Sequence, residues 1–392
     1  MENNPTKILL CVSGGIAAYK AIDLLSLMVK KGWQVRCILT EGALEFVTPL
    51  SFAALSGSSV HTGLFNDTEP IPHIRLAEWA DLVVVAPATA NVLAKAVQGM
   101  ADDLLAATLL AHRKPILFVP AMNVYMFEHP ATQENLEKLI YRGNHILPPE
   151  TGRLACGYTG KGKYPANAEI MWAIETYLHY GRDLIGKKVL ITAGATLEAL
   201  DPMRYLSNRS SGRMGLALAR AFALRGAEVT LVQANLQVPL PHYLKRVIAC
   251  ETAFEMQQAV LENYAEQDWI VKCAAVADYT PLQASDKKLP KQSELTLELT
   301  ATPDILAELG KRKKPGQKLI GFAAQSENDP DKARAKLQRK NLDLVLLNNI
   351  ANAGKEDNEI IVIHRDPDSP AQTIKGDKFT LALRIADLVK SL

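Results

Sequence analysis

With 392 residues, 48% of them hydrophobic and 22% charged, the chain carries enough apolar mass for two ordinary globular domains and is too well balanced for a disordered or fibrous protein. A formal net charge of +2 gives no general attraction to nucleic acid or to an acidic membrane surface. No uncharged stretch approaches the roughly 20 residues that cross a bilayer, and residues 1–5 carry no basic segment before an apolar run, so the expected location is the cytoplasm.

Strand-like apolar runs fall at 7–12, 34–39, 81–86 and 115–119, with a fifth at 145–147. Helical spacing fills the intervals, as at 16–31, where Ile22, Leu25 and Val29 share a face and Gly32 stops the pattern. Short apolar strands separated by helices predict a parallel sheet covered on both faces. Sites in such sheets open at the carboxyl ends of the strands. Four polar turns occupy that edge: Ser13-Gly14-Gly15, Thr40-Glu41-Gly42, Pro87-Ala88-Thr89-Ala90-Asn91 and Pro120-Ala121-Met122-Asn123.

A helix at 168–180 and a connector at 182–186 close the first half, and the pattern restarts. Strand 187–191, helix 214–225, strand 228–232, helix 254–264 and strand 269–273 are followed by strands at 295–299, 318–322, 344–347 and 359–364. Two fused α/β domains, 1–182 and 183–392, are expected, sharing a type of unit but no repeated motif. Cys11, Cys37, Cys250 and Cys273 lie in or beside apolar strands and read as buried, reduced and inert. Cys156 differs, in the glycine-rich, basic stretch Arg153-Leu154-Ala155-Cys156-Gly157-Tyr158-Thr159-Gly160-Lys161-Gly162-Lys163.

In the first half, Ser13-Gly14-Gly15 before a helix can hold a terminal phosphate, and the turn from Pro87 through Ala88 and Thr89 to Asn91 suits a phosphate or a polyol. A tight corner and a helix cap are the bland alternatives. His73 and Asn123 are, taken singly, equally open to structural roles. Together these segments resemble the flavin-dependent cysteine decarboxylases, specifically the phosphopantothenoylcysteine decarboxylase half of the bifunctional bacterial enzymes of coenzyme A synthesis. The matching stretches are Ser13-Gly14-Gly15-Ile16-Ala17-Ala18-Tyr19-Lys20, Ala86-Pro87-Ala88-Thr89-Ala90-Asn91, Pro120-Ala121-Met122-Asn123 and Ala155-Cys156-Gly157.

The resemblance implies a flavodoxin-like doubly wound parallel sheet binding FMN, with Thr40 also at the cofactor. His73 would be the catalytic histidine, Asn123 the carboxylate-binding asparagine and Cys156 the flap cysteine. An alkyl carboxylate loses CO2 slowly because the carbanion has no sink; passing a hydride equivalent to FMN makes a thioaldehyde that provides one. Cys156, with an ordinary thiol pKa of about 8.5, would then protonate the enethiolate, and Gly157, Gly160 and Gly162 would let the flap close.

In the second half, Thr192-Ala193-Gly194 ends a strand, and Ser210-Ser211-Gly212 opens a helix without the spacing of a Walker P-loop. A serine-capped helix is the alternative there. Here the resemblance is to phosphopantothenate–cysteine ligases, carried by Ser207-Asn208-Arg209-Ser210-Ser211-Gly212-Arg213-Met214-Gly215 and Ala274-Ala275-Val276-Ala277-Asp278-Tyr279. It implies a Rossmann-like α/β domain in which CTP activates 4′-phosphopantothenate to an acyl-cytidylate that the amine of cysteine attacks. Asn208 would hold the acyl carbonyl. Lys288 with Mg²⁺ would offset charge on the triphosphate. Asp278, Phe322, Lys336 and Lys340 would bind CTP along with Ser210, Ser211, Gly212, Ala274 and Ala275, and Arg204 would contact the intermediate.

The family further implies trimers of decarboxylase halves and dimers of ligase halves, an arrangement compatible with a dodecamer. Ala195, Leu197, Ala199, Gln325 and Asn349 depart from the pattern, where proline, arginine, proline, glutamate and aspartate are expected. A flavin-binding scaffold without turnover would be expected to lack one of His73, Asn123 or Cys156, and all three are present. A different decarboxylation substrate, such as a peptidyl cysteine, or a flavin prenylation, is disfavoured by the attached ligase half.

Overall fold

The apolar runs of the first unit, Met1–Gly181, become β1 (Lys7–Val12), β2 (Gln34–Leu39), β3 (Val60–His61), β4 (Leu82–Ala88), β5 (Ile116–Pro120) and β6 (His145–Ile146). The computed structural model describes residues 5–65, 70–291, 293–325, 329–349, 357–366 and 369–392. These strands form a wholly parallel sheet in the order β3-β2-β1-β4-β5-β6. Apart from the two-residue edge strand β3, this is the flavodoxin order, and it reverses direction between β1 and β4. β4 is buried at every position, as a strand covered on both faces must be. The helix Ala18–Lys30 turns Ala18, Ala21, Leu24, Leu25 and Met28 inward, and Gly32, at φ 84°, ends it in the left-handed conformation.

β7 (Glu150–Arg153) and β8 (Thr159–Lys163) form an antiparallel hairpin outside that sheet, with Cys156 in its turn. The glycine- and lysine-rich sequence offers no apolar alternation, so the hairpin has no signature in the pattern.

The second unit, Arg182–Leu392, contains β9 (Lys188–Gly194), β10 (Leu197–Ala199), β11 (Tyr205–Ser207), β12 (Glu228–Ala234), β13 (Arg246–Cys250), β14 (Trp269–Lys272), β15 (Tyr279–Pro281), β16 (Leu299–Ala301), β17 (Lys318–Gln325), β18 (Leu344–Asn349), β19 (Asp357–His364) and β20 (Gln372–Asp377). Its main sheet runs β13-β12-β9-β14-β17-β18-β19-β20. The six strands from β13 to β18 are parallel and follow the Rossmann order, reversing between β9 and β14; β19 and β20 add on antiparallel.

The expected strand at 295–299 is displaced: Leu299–Ala301 pairs with β15 in a separate ribbon. Leu295, Leu297 and Leu299 do alternate, yet all three are exposed, so the period has no core to face. Behind the sheet Arg225, 1% exposed, bonds Asp183, Asp387 and the Leu383 carbonyl, tying the beginning of this unit to its last helix, Lys378–Ser391. Among the described residues no helix is long and apolar enough to cross a membrane.

Candidate active sites

At the reversal point of the first sheet the tips of β1 and β4 are joined through one hydroxyl. Ser13 Oγ donates to the Pro87 carbonyl at 2.7 Å and accepts from the Thr89 N–H at 3.1 Å. The Thr40 N–H donates to the Val12 carbonyl, and its Oγ1 accepts from Ala43 N–H at the start of a short helix. A Cβ on Gly14 would stand 2.6 Å from the Gly42 carbonyl, so only glycine allows the two turns to meet.

The Ser13 hydroxyl is therefore spent on the scaffold, whereas that of Thr40 accepts one bond and keeps its proton. Among the described residues nothing accepts from the N–H groups of Gly14 and Gly15 either. The helix Ala90–Gln98 begins at Thr89 with no side-chain cap, which removes the capping alternative and leaves its first N–H groups, beside Asn91, open. Pro87 and Ala88 contribute the buried backbone on which this corner is built. Open N–H groups at a helix start beside a glycine turn fit a phosphate.

Asn123 has the helix-capping role weighed from the sequence, and its amide also reaches Cys156. Its Oδ1 caps the helix Val124–Glu128 by accepting from Tyr125 N–H at 2.9 Å, and its Nδ2 donates to Cys156 Sγ at 3.1 Å. The hairpin lies on this helix through Met122 N–H to the Gly162 carbonyl at 3.0 Å and an edge-on contact of Tyr158 with Tyr125. A Cβ on Gly160 would strike Val124 at 2.6 Å, and one on Gly162 the Met122 carbonyl at 2.3 Å. Those two glycines let the hairpin pack closely on the helix; Gly157, at φ 88° with open space around it, makes the turn.

The Tyr158 backbone N–H and then the Asn123 amide, both aimed at sulphur, hold the exposed Cys156 thiol below its ordinary range. The other cysteines behave oppositely: burial pushes Cys37 and Cys273 up to about 12 and Cys250 to about 11, although Cys250 and Cys273 are part-exposed rather than fully buried. His73 sits in the first turn of the helix Pro72–Trp79, its Nδ1 buried and, among the described residues, without a hydrogen-bond partner. The fold joins Asn123 to Cys156 and bonds His73 to neither among the described residues.

In the second unit the reversal point is built by two threonines. Thr192 Oγ1 accepts from the N–H groups of Cys273 and Ala274 at 3.1 and 3.0 Å, and Thr196 Oγ1 from Ala277 N–H at 2.9 Å. The Ala275 N–H donates to the Gly194 carbonyl. Asn208 Nδ2 reaches the Val276 carbonyl at 3.0 Å and the Ala275 carbonyl at 3.4 Å, bringing Asn208 onto the strand-end segment that contains Asp278.

The helix Arg213–Leu224 starts at Gly212, φ 73°, with no side-chain cap, so the serine-capped alternative is not what forms. Ser210 Oγ makes only a 3.4 Å contact to Gly212 N–H, and Ser211 stands beside an open helix start. Gly215 lets this helix touch β9: a Cβ there would lie 2.5 Å from that of Ala193.

Arg204 is engaged. Its Nε and Nη2 donate to the enclosed Asp201 carboxylate, and Nη2 also to the Leu289 carbonyl at 2.8 Å. Leu289 N–H returns to Asp201, so this clasp fixes the loop bearing the exposed Lys287 and Lys288. The Arg204 guanidinium first, with backbone N–H groups, holds the Asp201 carboxyl far below the usual carboxylate range. Further along the edge, Lys336 Nζ donates to the Phe322 carbonyl at 3.2 Å and Lys340 pairs with Asp304 at 2.7 Å. Thr192 belonged to the turn read from the sequence, but the bracing roles of Asp201 and the two threonines were not foreseen; the clasp spans 88 positions and leaves no local signal. The backbones of Gln325 and Asn349 close β17 and β18, and their side chains lie outside what is described.

A family model for the flavoproteins matches residues 1–179, and one for the DNA/pantothenate metabolism flavoprotein C-terminal domain matches residues 184–392. The coenzyme A biosynthesis bifunctional protein CoaBC of Bacillus subtilis (strain 168) is 45% identical over 374 residues, covering 93% of this chain and 91% of that one. The chain belongs to the CoaBC family. The Haemophilus influenzae member is 42% identical over 354 residues, covering 90% of this chain and 88% of its own. A solved structure of a CoaBC C-terminal domain, 34% identical, covers 54% of this chain and 97% of its own with a TM-score of 0.46. The protein is thus a flavoprotein and a bifunctional enzyme of coenzyme A biosynthesis, a decarboxylase and a ligase.

Proposed function

We propose that the second unit joins 4′-phosphopantothenate to cysteine at the expense of CTP, and that the first unit decarboxylates the product to 4′-phosphopantetheine with FMN. The observation that carries the reading is the Asn123 amide held 3.1 Å from the Cys156 sulphur, a carboxylate-binding donor beside a proton donor. The open N–H groups of Gly14, Gly15 and the Thr89 helix start fit the FMN phosphate. When bound, FMN would accept the hydride that leaves the substrate's CH2–S carbon and return it after CO2 loss, so that the overall reaction is redox-neutral.

Around it, Asn123 Nδ2 turns from sulphur to the substrate carboxylate and fixes it. His73, whose buried Nδ1 lacks a partner among the described residues, holds or takes a proton beside that carboxylate. Once CO2 has left, Cys156 Sγ delivers the proton that completes the product. The hairpin beneath Cys156 excludes water from the reacting carbon.

In the ligase unit, Asn208 leaves the Val276 carbonyl to hold the acyl-cytidylate carbonyl as charge develops. Ser210, Ser211 and Gly212 bind phosphate, Ala274, Ala275, Asp278 and Phe322 meet the nucleoside, and Lys288, Lys336 and Lys340 offset the triphosphate. Arg204 acts by holding the Lys288 loop, in addition to any contact with the intermediate. Mg²⁺ would add to Lys288 in offsetting charge on the triphosphate. The first units associate as trimers and the second as dimers, which sedimentation measures.

The test supplies 4′-phosphopantothenate, cysteine, CTP and Mg²⁺ and follows pyrophosphate and CO2 separately. Cys156→Ser should keep pyrophosphate release and CO2 loss but stop before 4′-phosphopantetheine. Asn208→Ala should abolish the ligation while leaving CO2 release from supplied 4′-phosphopantothenoylcysteine intact. Unchanged product formation in either variant overturns the assignment of that residue.

A further inference from the structure

Lys272 ends β14 at the reversal point and is only 7% exposed, so its amine is buried at the edge where the ligase site opens. Two residues earlier, Ile270 packs with Met256, Leu306 and Leu337, and strand alternation places Lys272 on that same face. Three helices cover it: Ala253–Asn263, Ile305–Arg312 and Pro330–Arg339. Among the described residues the acceptor that Lys272 Nζ reaches is a thioether, Met256 Sδ, at 3.6 Å. A buried ammonium facing a thioether sulphur is costly unless an anion joins it.

The groups facing it from the surrounding elements are Cys250 of β13, the adjacent Cys273, Asp304 at the start of its helix, and Lys336. Asp304 is already committed to Lys340 at 2.7 Å and to the Ala307 N–H. Lys336, itself lowered by burial and then by Lys340, leans on the Phe322 carbonyl. Three lysines, with Arg339 beside Lys336, therefore converge on two carboxylates, Asp304 and Asp278, a deficit of negative charge that a polyphosphate would make good. Burial pushes Lys272 down to about 8, partly countered by Cys250, Cys273 and Asp304.

We propose that Lys272 is a buried third cation of the polyphosphate site in the ligase unit, and that the bound nucleotide supplies the anion that, among the described residues, its amine does not contact. The proposal rests on the CTP-dependent ligase reading above. Because the amine is largely neutral above pH 8 without nucleotide, binding draws in a proton. The nucleotide affinity that Lys272 contributes is full below its free value and is lost as pH rises toward its value in the complex.

The experiment is calorimetric titration of the full-length protein with CTP and Mg²⁺ at pH 8.5 in two buffers of different ionisation enthalpy. Wild type should take up roughly three quarters of a proton per site more than Lys272→Met. The KM for CTP should rise roughly 10- to 100-fold in Lys272→Met at pH 7. Above pH 8 it should climb with pH in wild type and stay flat in the variant. Thermal stability of the variant should hold or increase, since a thioether suits that pocket; a purely structural lysine would lower the melting temperature and leave the pH profile unmoved. CTP-dependent pyrophosphate release with unaltered proton uptake in Lys272→Met assigns the proton to Lys336 and overturns the proposal alone. Absence of CTP-dependent pyrophosphate release in wild type overturns the ligase reading and this proposal together.

Discussion

An amide donor and a backbone N–H aimed at one sulphur change what Cys156 can do. A thiol held below its ordinary range releases its proton more readily, while less of it stays protonated before substrate arrives. The alkylation rate of Cys156 by iodoacetamide should therefore inflect below the ordinary value of about 8.5. Asn123→Ala should move that inflection upward but not fully back, because the Tyr158 N–H remains; an identical pH profile in the variant would remove Asn123 from the account. Asn123 was legible as an amide ending the strand segment Pro120-Ala121-Met122, since strand ends are where such sheets keep their chemistry. The sulphur–amide contact was not, because it crosses 33 positions. Lys272 was not singled out in the sequence; only the packing of three helices shows that, among the described residues, its amine reaches a thioether.

Among the elements, the inner strands of the parallel sheets were legible because burial on both faces leaves near-continuous apolar runs, whereas the edge strands β3, two residues long, and β13, largely exposed, were not. β10, β11, β15, β16 and the hairpin of β7 and β8 were not: at three to five residues each they are too short to show a period, and they are fixed by pairing rather than by composition. Glycines carry much of the remaining specification. A Cβ at position 215 would meet Ala193 at 2.5 Å, pushing the helix Arg213–Leu224 off β9. Gly215→Val should destabilise the second unit by about 1–3 kcal/mol and reduce pyrophosphate release. Decarboxylation of supplied 4′-phosphopantothenoylcysteine should be unaffected, and denaturant titration with both assays checks this. Undiminished ligation would mean that the helix start tolerates displacement and is not the phosphate cradle.

At the scale of the molecule, each unit has its own sheet and core, and each core was foreseeable from the restart of the strand–helix pattern after residue 186. The Arg225 clasp that closes the second unit was not, since Asp183 and Asp387 stand at opposite ends of it. Burial alone would raise the Asp183 carboxyl, but the hydrogen bonds from Arg225 and Lys390 outweigh it and hold the group low. Its contribution to stability is thus present above the unfolded value, about pH 4, and is lost as pH falls through the lower folded value. Arg225→Met should cost about 2–3 kcal/mol, less than loss from a wholly buried pair because both carboxylates are part-exposed and Asp183 keeps Lys390. The acid unfolding of the variant should be correspondingly less steep. Melting curves from pH 7 to pH 3 measure both, and equal stability at pH 7 would show that the clasp adds nothing net.

Ala274 and Ala275 have given both of their N–H groups to Thr192 Oγ1 and the Gly194 carbonyl, so their peptide units can offer only oxygens to a ligand. The Ala275 oxygen already accepts from Thr196 and lies within reach of Asn208. A pyrimidine that docks on this stretch must bring its own exocyclic donor: cytosine carries an amine there, uracil a carbonyl. Exchanging CTP for UTP should lower pyrophosphate release roughly tenfold or more, with no mutation required. Equal use of the two would move base discrimination to another part of the strand edge.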